Sequence, residues 1–178
     1  MYNSKVKRKL EHFGFTLLEV LIAVAIVGIL TAIVLANLSD SSEQAKITKA
    51  EAELDQIRTG LAMLAVDTGK GPWGCPFGGV ADPEVTINDS QSGLVTRPTA
   101  QVLNAAWNCE WTSSDVNEWS GPYFDGSLDP WGRSYVIDAD YVPYSACATT
   151  PAEPTIYAVL SLGADGVYYT CDDIFIEL

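Results

Sequence analysis

The chain has 178 residues, among them 23 acidic residues, 10 basic residues and one histidine. This length allows one small domain with an anchoring segment and argues against two full domains. The formal net charge of −13 repels phosphate backbones, which argues against binding of nucleic acid.

The positive charge is concentrated at the N-terminus, where the first 14 residues contain four of the ten basic residues and one acidic residue. A chain that starts at Phe15 keeps 22 of the 23 acidic residues and 6 of the 10 basic ones, a net charge of about −16, and loses the only histidine, His12. Without histidine, Ser-His-Asp and Cys-His catalytic schemes and histidine-ligated metal sites are excluded.

An apolar segment follows the basic residues. Residues 15–38 read FTLLEVLIAVAIVGILTAIVLANL, which is long enough to span a bilayer with some tilt. Because basic residues precede this segment and few follow it soon, the positive-inside rule puts residues 1–14 in the cytoplasm and the body outside. We therefore expect a single-pass protein of the cytoplasmic membrane.

Two simpler explanations of the segment are an ordinary cleavable secretory signal and a plain membrane anchor. Both leave Glu19 unexplained, because a lone carboxylate near the start of an apolar helix costs a few kcal/mol to insert. An ordinary signal also ends at a turn, whereas a helical pattern here continues past Ala36.

The helical pattern continues to about residue 70. Apolar residues form one stripe along a helix, at alternating spacings of three and four: Ile47, Ala50, Leu54, Ile57, Leu61 and Leu64. The other faces are charged, with Glu43, Lys46, Lys49, Glu51, Glu53, Asp55 and Arg58. Gly69, soon followed by Gly71-Pro72, is a stop signal. We predict one long helix, apolar all round over residues 15–38 and amphipathic over residues 39–70.

The junction before this helix carries a recognisable motif. Gly14-Phe15-Thr16-Leu17-Leu18-Glu19, between a basic leader and an apolar helix, resembles the processing site of type IV prepilins and pseudopilins. The resemblance implies that a prepilin peptidase cuts between Gly14 and Phe15, that the new amino group of Phe15 is methylated, and that Glu19 serves filament assembly. In the apolar core of a filament, the amine of one subunit's Phe15 needs a counter-ion, which Glu19 of a neighbouring subunit supplies.

Residues 71–120 are rich in Gly, Pro, Ser, Asn and Trp and show little periodicity. We predict a long irregular region there, with one short helix around Thr99–Ala106. Four tryptophans in it are interpreted as packing aromatics rather than as a sugar- or ligand-stacking site: Trp73, Trp107, Trp111 and Trp119.

The C-terminal part is more regular. Short segments of β-branched and aromatic residues predict strands at Tyr135–Ile137, Ile156–Leu162 and Ile174–Ile176. Asp129-Pro130-Trp131-Gly132 is typical of a turn leading into the first strand. We therefore predict an α+β fold, with the long helix packed on a small antiparallel sheet of about three strands, and an extracytoplasmic domain over residues 71–178.

The four cysteines are Cys75, Cys109, Cys147 and Cys171, and none belongs to a C-x-x-C pair, so a zinc site has little support. In an exported chain an even number of cysteines favours disulfides. Of the three possible connectivities we favour Cys75–Cys109 with Cys147–Cys171, because sequence neighbours close the shorter loops. The alternative is four small buried apolar residues.

The body also contains motifs of a known family. Three of them resemble the major pseudopilin of type II secretion: Trp119-x-Gly121-Pro122-Tyr123, Asp129-Pro130-Trp131-Gly132-x-x-Tyr135 and Ser161-Leu162-Gly163-Ala164-Asp165-Gly166. The match covers the helix and residues 119–178 but not residues 71–118. It implies a self-assembling filament subunit whose partners are minor pseudopilins, an inner-membrane assembly platform and an ATPase.

The last loop, SLGADGVYYTCDDI, contains Asp165, Asp172 and Asp173. Carboxylates this close repel one another unless a cation lies between them, and calcium prefers carboxylate and carbonyl oxygens. The same resemblance implies that the three aspartates bind a structural Ca²⁺, with the carbonyl of Leu162 as a backbone ligand. The alternatives are a solvated acidic turn, or a loop that a Cys147–Cys171 disulfide pins alongside calcium or in its place.

Three functions remain open at this point. The leading one is a structural subunit of a pseudopilus that drives type II protein secretion. The second is a type IV pilus subunit for adhesion, motility or DNA uptake, which the cysteines and the divergent middle segment leave open. A membrane-anchored exoprotein or enzyme has the least support, because no Gly-rich phosphate loop or nucleophile-elbow motif is visible, although the many carboxylates leave a glycosidase-like pair open.

Overall fold

The computed structural model describes residues 15–76, 84–143 and 154–178. The chain divides into two compact units, one that ends at Ser42 and one that begins at Glu43. Its helices and strands are, in order, α1 (Leu17–Thr68), β1 (Val85–Thr86), β2 (Gln101–Asn104), β3 (Cys109–Trp111), α2 (Ser113–Glu118), β4 (Val136–Tyr141), β5 (Ile156–Ser161) and β6 (Ile174–Glu177). Short 3₁₀ helices lie at Pro72–Gly74 and Ala105–Trp107.

Helix α1 has 52 residues, which confirms the predicted long N-terminal helix. It ends where the sequence indicates, because Gly69 adopts a φ of 69° that a residue with a side chain rarely tolerates. In the unit that ends at Ser42, every large apolar side chain from Phe15 to Leu30 is half exposed or more. Within the described ranges, none of the helices combines the length and the apolarity that a membrane crossing requires.

In the second unit, the predicted apolar stripe of α1 faces the core. Ala50, Leu54, Ile57, Leu61 and Leu64 are each at most 1% exposed. Burial of each leucine or isoleucine contributes about 1.5–3 kcal/mol relative to exposure, so this stripe is a main source of stability.

The main sheet is antiparallel with the order β1-β4-β5-β6. On one face Ile137 is paired with Val159, and these side chains share a core cluster with the α1 stripe. On the other face Val136 is paired with Leu160, and Tyr168, Tyr169 and Phe175 pack over that cluster. Because both faces are covered, the loop between β5 and β6 is part of the packing of the sheet rather than a free appendage.

Two sequence predictions about this unit need correction. The short helix predicted around Thr99–Ala106 is wrong, because Gln101–Asn104 forms β2, whose Gln101 pairs with Trp111 of β3. The side chain of Asn104 then accepts a hydrogen bond from the Ala106 amide and starts a 3₁₀ helix. The main sheet also has a fourth strand, β1, beyond the three that were predicted.

Glu53, predicted on a charged outer face of the helix, is buried. Its Oε2 accepts a hydrogen bond of 2.6 Å from the hydroxyl of Tyr135, and its Oε1 lies 3.5 Å from Nζ of Lys49. Burial, followed by the bond to Glu53, raises the pKa of Tyr135 far above its ordinary value, so this hydroxyl stays protonated and keeps donating.

The tryptophans divide between packing and exposure. Trp111 is 1% exposed and its indole donates to the carbonyl of Gln91 at 2.9 Å, which agrees with a packing role. The indole of Trp119 donates to the carbonyl of Gly93 at 2.6 Å. Trp107 is 46% exposed and therefore does not serve the core.

Candidate functional site

The first candidate site is the start of α1, where Thr16 and Glu19 bond to each other. The Glu19 amide donates to the hydroxyl of Thr16 at 3.2 Å, and Oε2 of Glu19 accepts long bonds of 3.5 Å from the amide and the hydroxyl of Thr16. This reciprocal pattern is a capping box, which satisfies amides that a helix start leaves unpaired.

The capping box gives Glu19 a local role that the sequence interpretation missed, although Thr-x-x-Glu before an apolar run is its signature. The carboxylate also lies in the first turn of α1, where the helix dipole favours negative charge. Phe15, directly before Thr16, is 83% exposed. Gly14, on the other side of the predicted cleavage point, lies outside the described residues.

The second candidate site is the loop between β5 and β6, where Asp165 and Asp172 are brought together. The Asp165 amide donates to Oδ2 of Asp172 at 2.9 Å. The hydroxyl of Thr170 lies within hydrogen-bond distance of three acceptors: Oδ1 of Asp172 at 2.7 Å, the Val167 carbonyl at 3.0 Å and Oδ1 of Asp165 at 3.4 Å. One hydroxyl proton cannot serve three acceptors, so this loop has more acceptors than donors.

Asp173 is the most buried carboxylate of the loop. Its Oδ2 accepts hydrogen bonds from the Tyr141 hydroxyl at 2.8 Å and from the Thr170 amide at 3.2 Å, whereas its Oδ1 is buried and has no hydrogen-bond partner. Burial raises the pKa of Asp173. At Asp172 burial acts in the same direction, but bonds from Thr170 and the Asp165 amide outweigh it and lower the pKa.

The acceptors of this loop can be compared with the ligands that a metal ion needs. The unpartnered Oδ1 of Asp173 and the surplus of acceptors around Thr170 suit a hard cation. The carbonyl of Leu162, the predicted backbone ligand, lies in the same loop and accepts a hydrogen bond of 3.0 Å from the Gly166 amide. In the described ranges, however, no group of three or more His, Cys, Asp or Glu side chains is arranged to hold a metal ion. The predicted ligands thus lie in one loop but do not form a preformed coordination site.

Arg133 contributes to the same loop and was not found from the sequence. Its Nη1 donates to the Gly163 carbonyl at 2.5 Å and its Nη2 to the Ala164 carbonyl at 3.2 Å. Asp129 fixes both sides of this contact, because its Oδ1 accepts from the Arg133 amide at 2.7 Å and its Oδ2 from the Ser161 hydroxyl at 2.6 Å. Local spacing carries no signal for contacts that join positions about 30 residues apart.

The predicted Cys75–Cys109 disulfide is present and joins residues 34 positions apart. It ties the start of the middle segment to β3. Cys171 is also disulfide-bonded. Cys147 lies outside the described residues, so the Cys147–Cys171 pairing stays a prediction.

The comparisons with known proteins agree with both parts of the chain. Residues 12–35 match the model of the prokaryotic N-terminal methylation motif. Core protein G of the type II secretion system of Escherichia coli (strain K12) is 30% identical over 161 residues, which cover 90% of this chain and 88% of that protein. The protein of the same name from Pseudomonas aeruginosa is 27% identical over 156 residues, 88% of this chain and 86% of its own length.

A solved structure, the major pseudopilin from the type 2 secretion system of enterohaemorrhagic Escherichia coli, is 20% identical, with a TM-score of 0.42 over 78% of this chain and 92% of that chain. The assignment rests on the sequence relatives, which match along nearly the whole length, and on the methylation motif. The chain belongs to the family of the type II secretion system core protein G.

Proposed function

We propose that this chain is the repeating structural subunit of a type II secretion pseudopilus and that it polymerises through the first part of α1. The observation that carries the proposal is the apolar surface of residues 15–30, where every large side chain is half exposed or more and one carboxylate, Glu19, stands in the first turn. A soluble protein rarely exposes a continuous apolar surface unless something covers it. Copies of the same helix cover one another in a filament.

The steps before assembly follow from the N-terminal motif. We propose that residues 15–38 hold the precursor in the cytoplasmic membrane with residues 1–14 on the cytoplasmic side. A prepilin peptidase then cuts between Gly14 and Phe15, and the amine of Phe15 is methylated, which the match to the methylation motif supports. Minor pseudopilins, an inner-membrane assembly platform and its ATPase are the further partners.

The proposed activity is mechanical rather than catalytic. The chain from Phe15 onward contains no histidine, and the relatives are named as core proteins of a secretion system. Phe15 and Glu19 are accordingly proposed as assembly residues. The amine of one subunit pairs with the carboxylate of another in an environment from which water is excluded.

Cleavage can be tested at Gly14. A peptidase that grips extended backbone has no room for a branched side chain, so Gly14→Val should keep the leader and Gly14→Ala, with the smallest side chain, should be cut at least in part. Mass spectrometry of the purified chain measures whether residues 1–14 are present, and electron microscopy measures filaments. Filaments built from uncut Gly14→Val subunits would contradict the proposed order of events.

We also propose that the loop between β5 and β6 binds a structural Ca²⁺ through Asp165, Asp172, Asp173 and the carbonyl of Leu162. The orphaned oxygen of Asp173 and the excess of acceptors around Thr170 support it. The ion would supply positive charge between the carboxylates, while the chain's own residues order the loop.

Calcium binding predicts a difference in thermal stability. With free calcium at 100 times its dissociation constant, the folded state gains about 2.7 kcal/mol, and the full chain should melt several degrees higher than in chelator. Asp173→Asn should remove most of the difference, whereas Asp89→Asn, outside this loop, should keep it. Equal melting temperatures for the unchanged chain in millimolar calcium and in chelator would exclude the site.

A further inference from the structure

The basic side chains that remain after Phe15 are all engaged within the subunit. There are six, and all lie in the described ranges: Lys46, Lys49, Arg58, Lys70, Arg97 and Arg133. Four of them form ion pairs with carboxylates of the same chain, namely Lys46–Glu43 at 3.3 Å, Lys49–Glu53 at 3.5 Å, Arg58–Asp55 at 2.7 Å and Lys70–Asp115 at 4.0 Å. The cations that a neighbouring subunit could pair with are therefore already occupied.

The other two basic residues bind backbone carbonyls. Arg97 donates from Nε at 2.9 Å and from Nη2 at 2.6 Å to the carbonyl of Val116. Arg133 donates to the carbonyls of Gly163 and Ala164 in the β5–β6 loop. An ion pair between subunits that used either guanidinium would compete with these internal bonds.

The carboxylates are in large excess. Glu43, Glu53, Asp55 and Asp115 take part in the four ion pairs, and the other acidic side chains that the structure describes have no ion-pair partner. Glu51 on α1 and Glu118 on α2 are examples at the surface. A subunit that starts at Phe15 thus carries a net charge of about −16 in total, and most of the acidic residues lie in the body that begins at Glu43, which has no free cationic patch in its described part.

We propose that the acidic bodies of neighbouring subunits repel each other, so that filament growth requires mobile cations to screen them, while the apolar part of α1 supplies the attraction. The proposal rests on the proposed function, since it concerns copies of this chain in a filament. It predicts the direction in which salt changes assembly: more filament forms with added salt, because unpaired like charges are screened. An interface held by salt bridges between subunits weakens with added salt.

Sedimentation of filaments from the leader-free chain measures whether assembly increases or decreases with added salt. The chain that starts at Phe15 is released from detergent in chelator at about 0.01 M and at about 0.15 M NaCl, between which the Debye length falls from about 30 Å to about 8 Å. We expect several-fold more sedimented filament at the higher concentration. Less filament at the higher concentration would overturn the proposal. No filament at either concentration would also overturn it, because the apolar part of α1 would then not supply the attraction, whereas the proposed function, which includes an assembly platform and its ATPase, would stand.

A charge variant separates screening from a general effect of salt on apolar contacts. Glu51→Gln with Glu118→Gln keeps side-chain size and removes two unpaired charges. This variant should assemble better than the unchanged chain at the lower salt concentration and should respond less to added salt. A salt response equal to that of the unchanged chain would mean that repulsion between the bodies is not the cause, and it would overturn the proposal.

Discussion

The carboxylate of Glu19 has one use in the single chain and a second, separate use in the proposed filament. In the single chain it closes a capping box with Thr16, which stabilises the start of α1. In the proposed filament it meets the amine of Phe15 from another subunit. The two uses differ in what they need, because glutamine can close a capping box and cannot neutralise an amine.

Asp138 is a buried carboxylate whose titration should be visible in the stability of the body. It is 1% exposed, its Oδ2 has no hydrogen-bond partner, and its Oδ1 accepts from the Asp140 amide at 3.0 Å. Burial raises the pKa of Asp138 to about 6, and the charges of Asp140 and Glu84 act in the same direction. Tyr168 and Tyr169 of the β5–β6 loop are its other titratable neighbours.

The direction in which stability changes with pH follows from the pKa of Asp138 in the folded and in the unfolded chain. In the unfolded chain the pKa of an aspartate is about 3.9, so between about pH 4 and pH 6 the folded state holds a proton that the unfolded state has lost. The free energy of unfolding therefore decreases as pH rises through this range. Asp138→Asn, which carries no charge, should raise the free energy of unfolding at pH 7.5 by about 1–2 kcal/mol and leave it nearly unchanged at pH 4.

Urea unfolding of the full chain in detergent at both pH values measures this. Asp140→Asn is the control, because it removes a nearby exposed carboxylate and should stabilise the body less. A stability difference for Asp138→Asn that is equal at pH 4 and pH 7.5 would contradict a raised pKa.

At the element scale, the regular parts of the fold could be predicted because their signals are local. The stripe of α1 and the strands β4, β5 and β6 follow from apolar spacing and β-branched residues. The pairing of Gln101 with Trp111 could not be predicted, because Trp111 lies ten positions away along the chain. The strand pairing outweighs the local helical preference of the segment around Gln101. Glu53 is similar, since its partner Tyr135 lies 82 positions away.

The residues of the candidate sites also divide into those with a local sequence signal and those that only the fold brings together. The aspartates of the β5–β6 loop became candidate ligands through the resemblance of one continuous segment to the major pseudopilin, and their role stays a prediction. Tyr141 and Arg133, which hold that loop, come from β4 and from the turn before it, and only the fold brings them there. The Thr16–Glu19 box is local, and the Thr-x-x-Glu spacing before an apolar run is a signal that could have predicted it.

Gly60 shows how closely the second part of α1 packs. A Cβ at this position would lie 2.7 Å from the backbone carbonyl oxygen of Tyr123. Alanine normally stabilises a helix interior by about 1 kcal/mol relative to glycine, but here Gly60→Ala should destabilise the body by about 1–3 kcal/mol because backbone must shift. Gly28→Ala, whose Cβ would meet nothing within 4 Å, is the matched control in the same helix.

Urea unfolding of both variants measures the effect. The urea midpoint should fall for Gly60→Ala and not for Gly28→Ala. An unchanged or higher midpoint for Gly60→Ala would mean that Tyr123 is not held against α1 as closely as the geometry indicates.

For the molecule as a whole, the proposed removal of residues 1–14 does two things at once. It takes away four of the ten basic residues and leaves a strongly acidic subunit, and it creates the amine at Phe15. The first change increases repulsion between bodies and the second gives Glu19 a counter-ion. In the proposed filament, assembly depends on apolar contacts and one buried ion pair, both at the start of α1, against a repulsive surface elsewhere.

The most direct test of this account compares Glu19→Gln with Glu19→Ala. Both lose the charge that the Phe15 amine needs, while Glu19→Gln keeps the capping box and Glu19→Ala loses it. Mass spectrometry should find that both variants are cut after Gly14, and electron microscopy and sedimentation should find that neither enters filaments. Normal filaments from Glu19→Gln would show that the capping box, and not the charge, is what assembly requires, and would contradict the account.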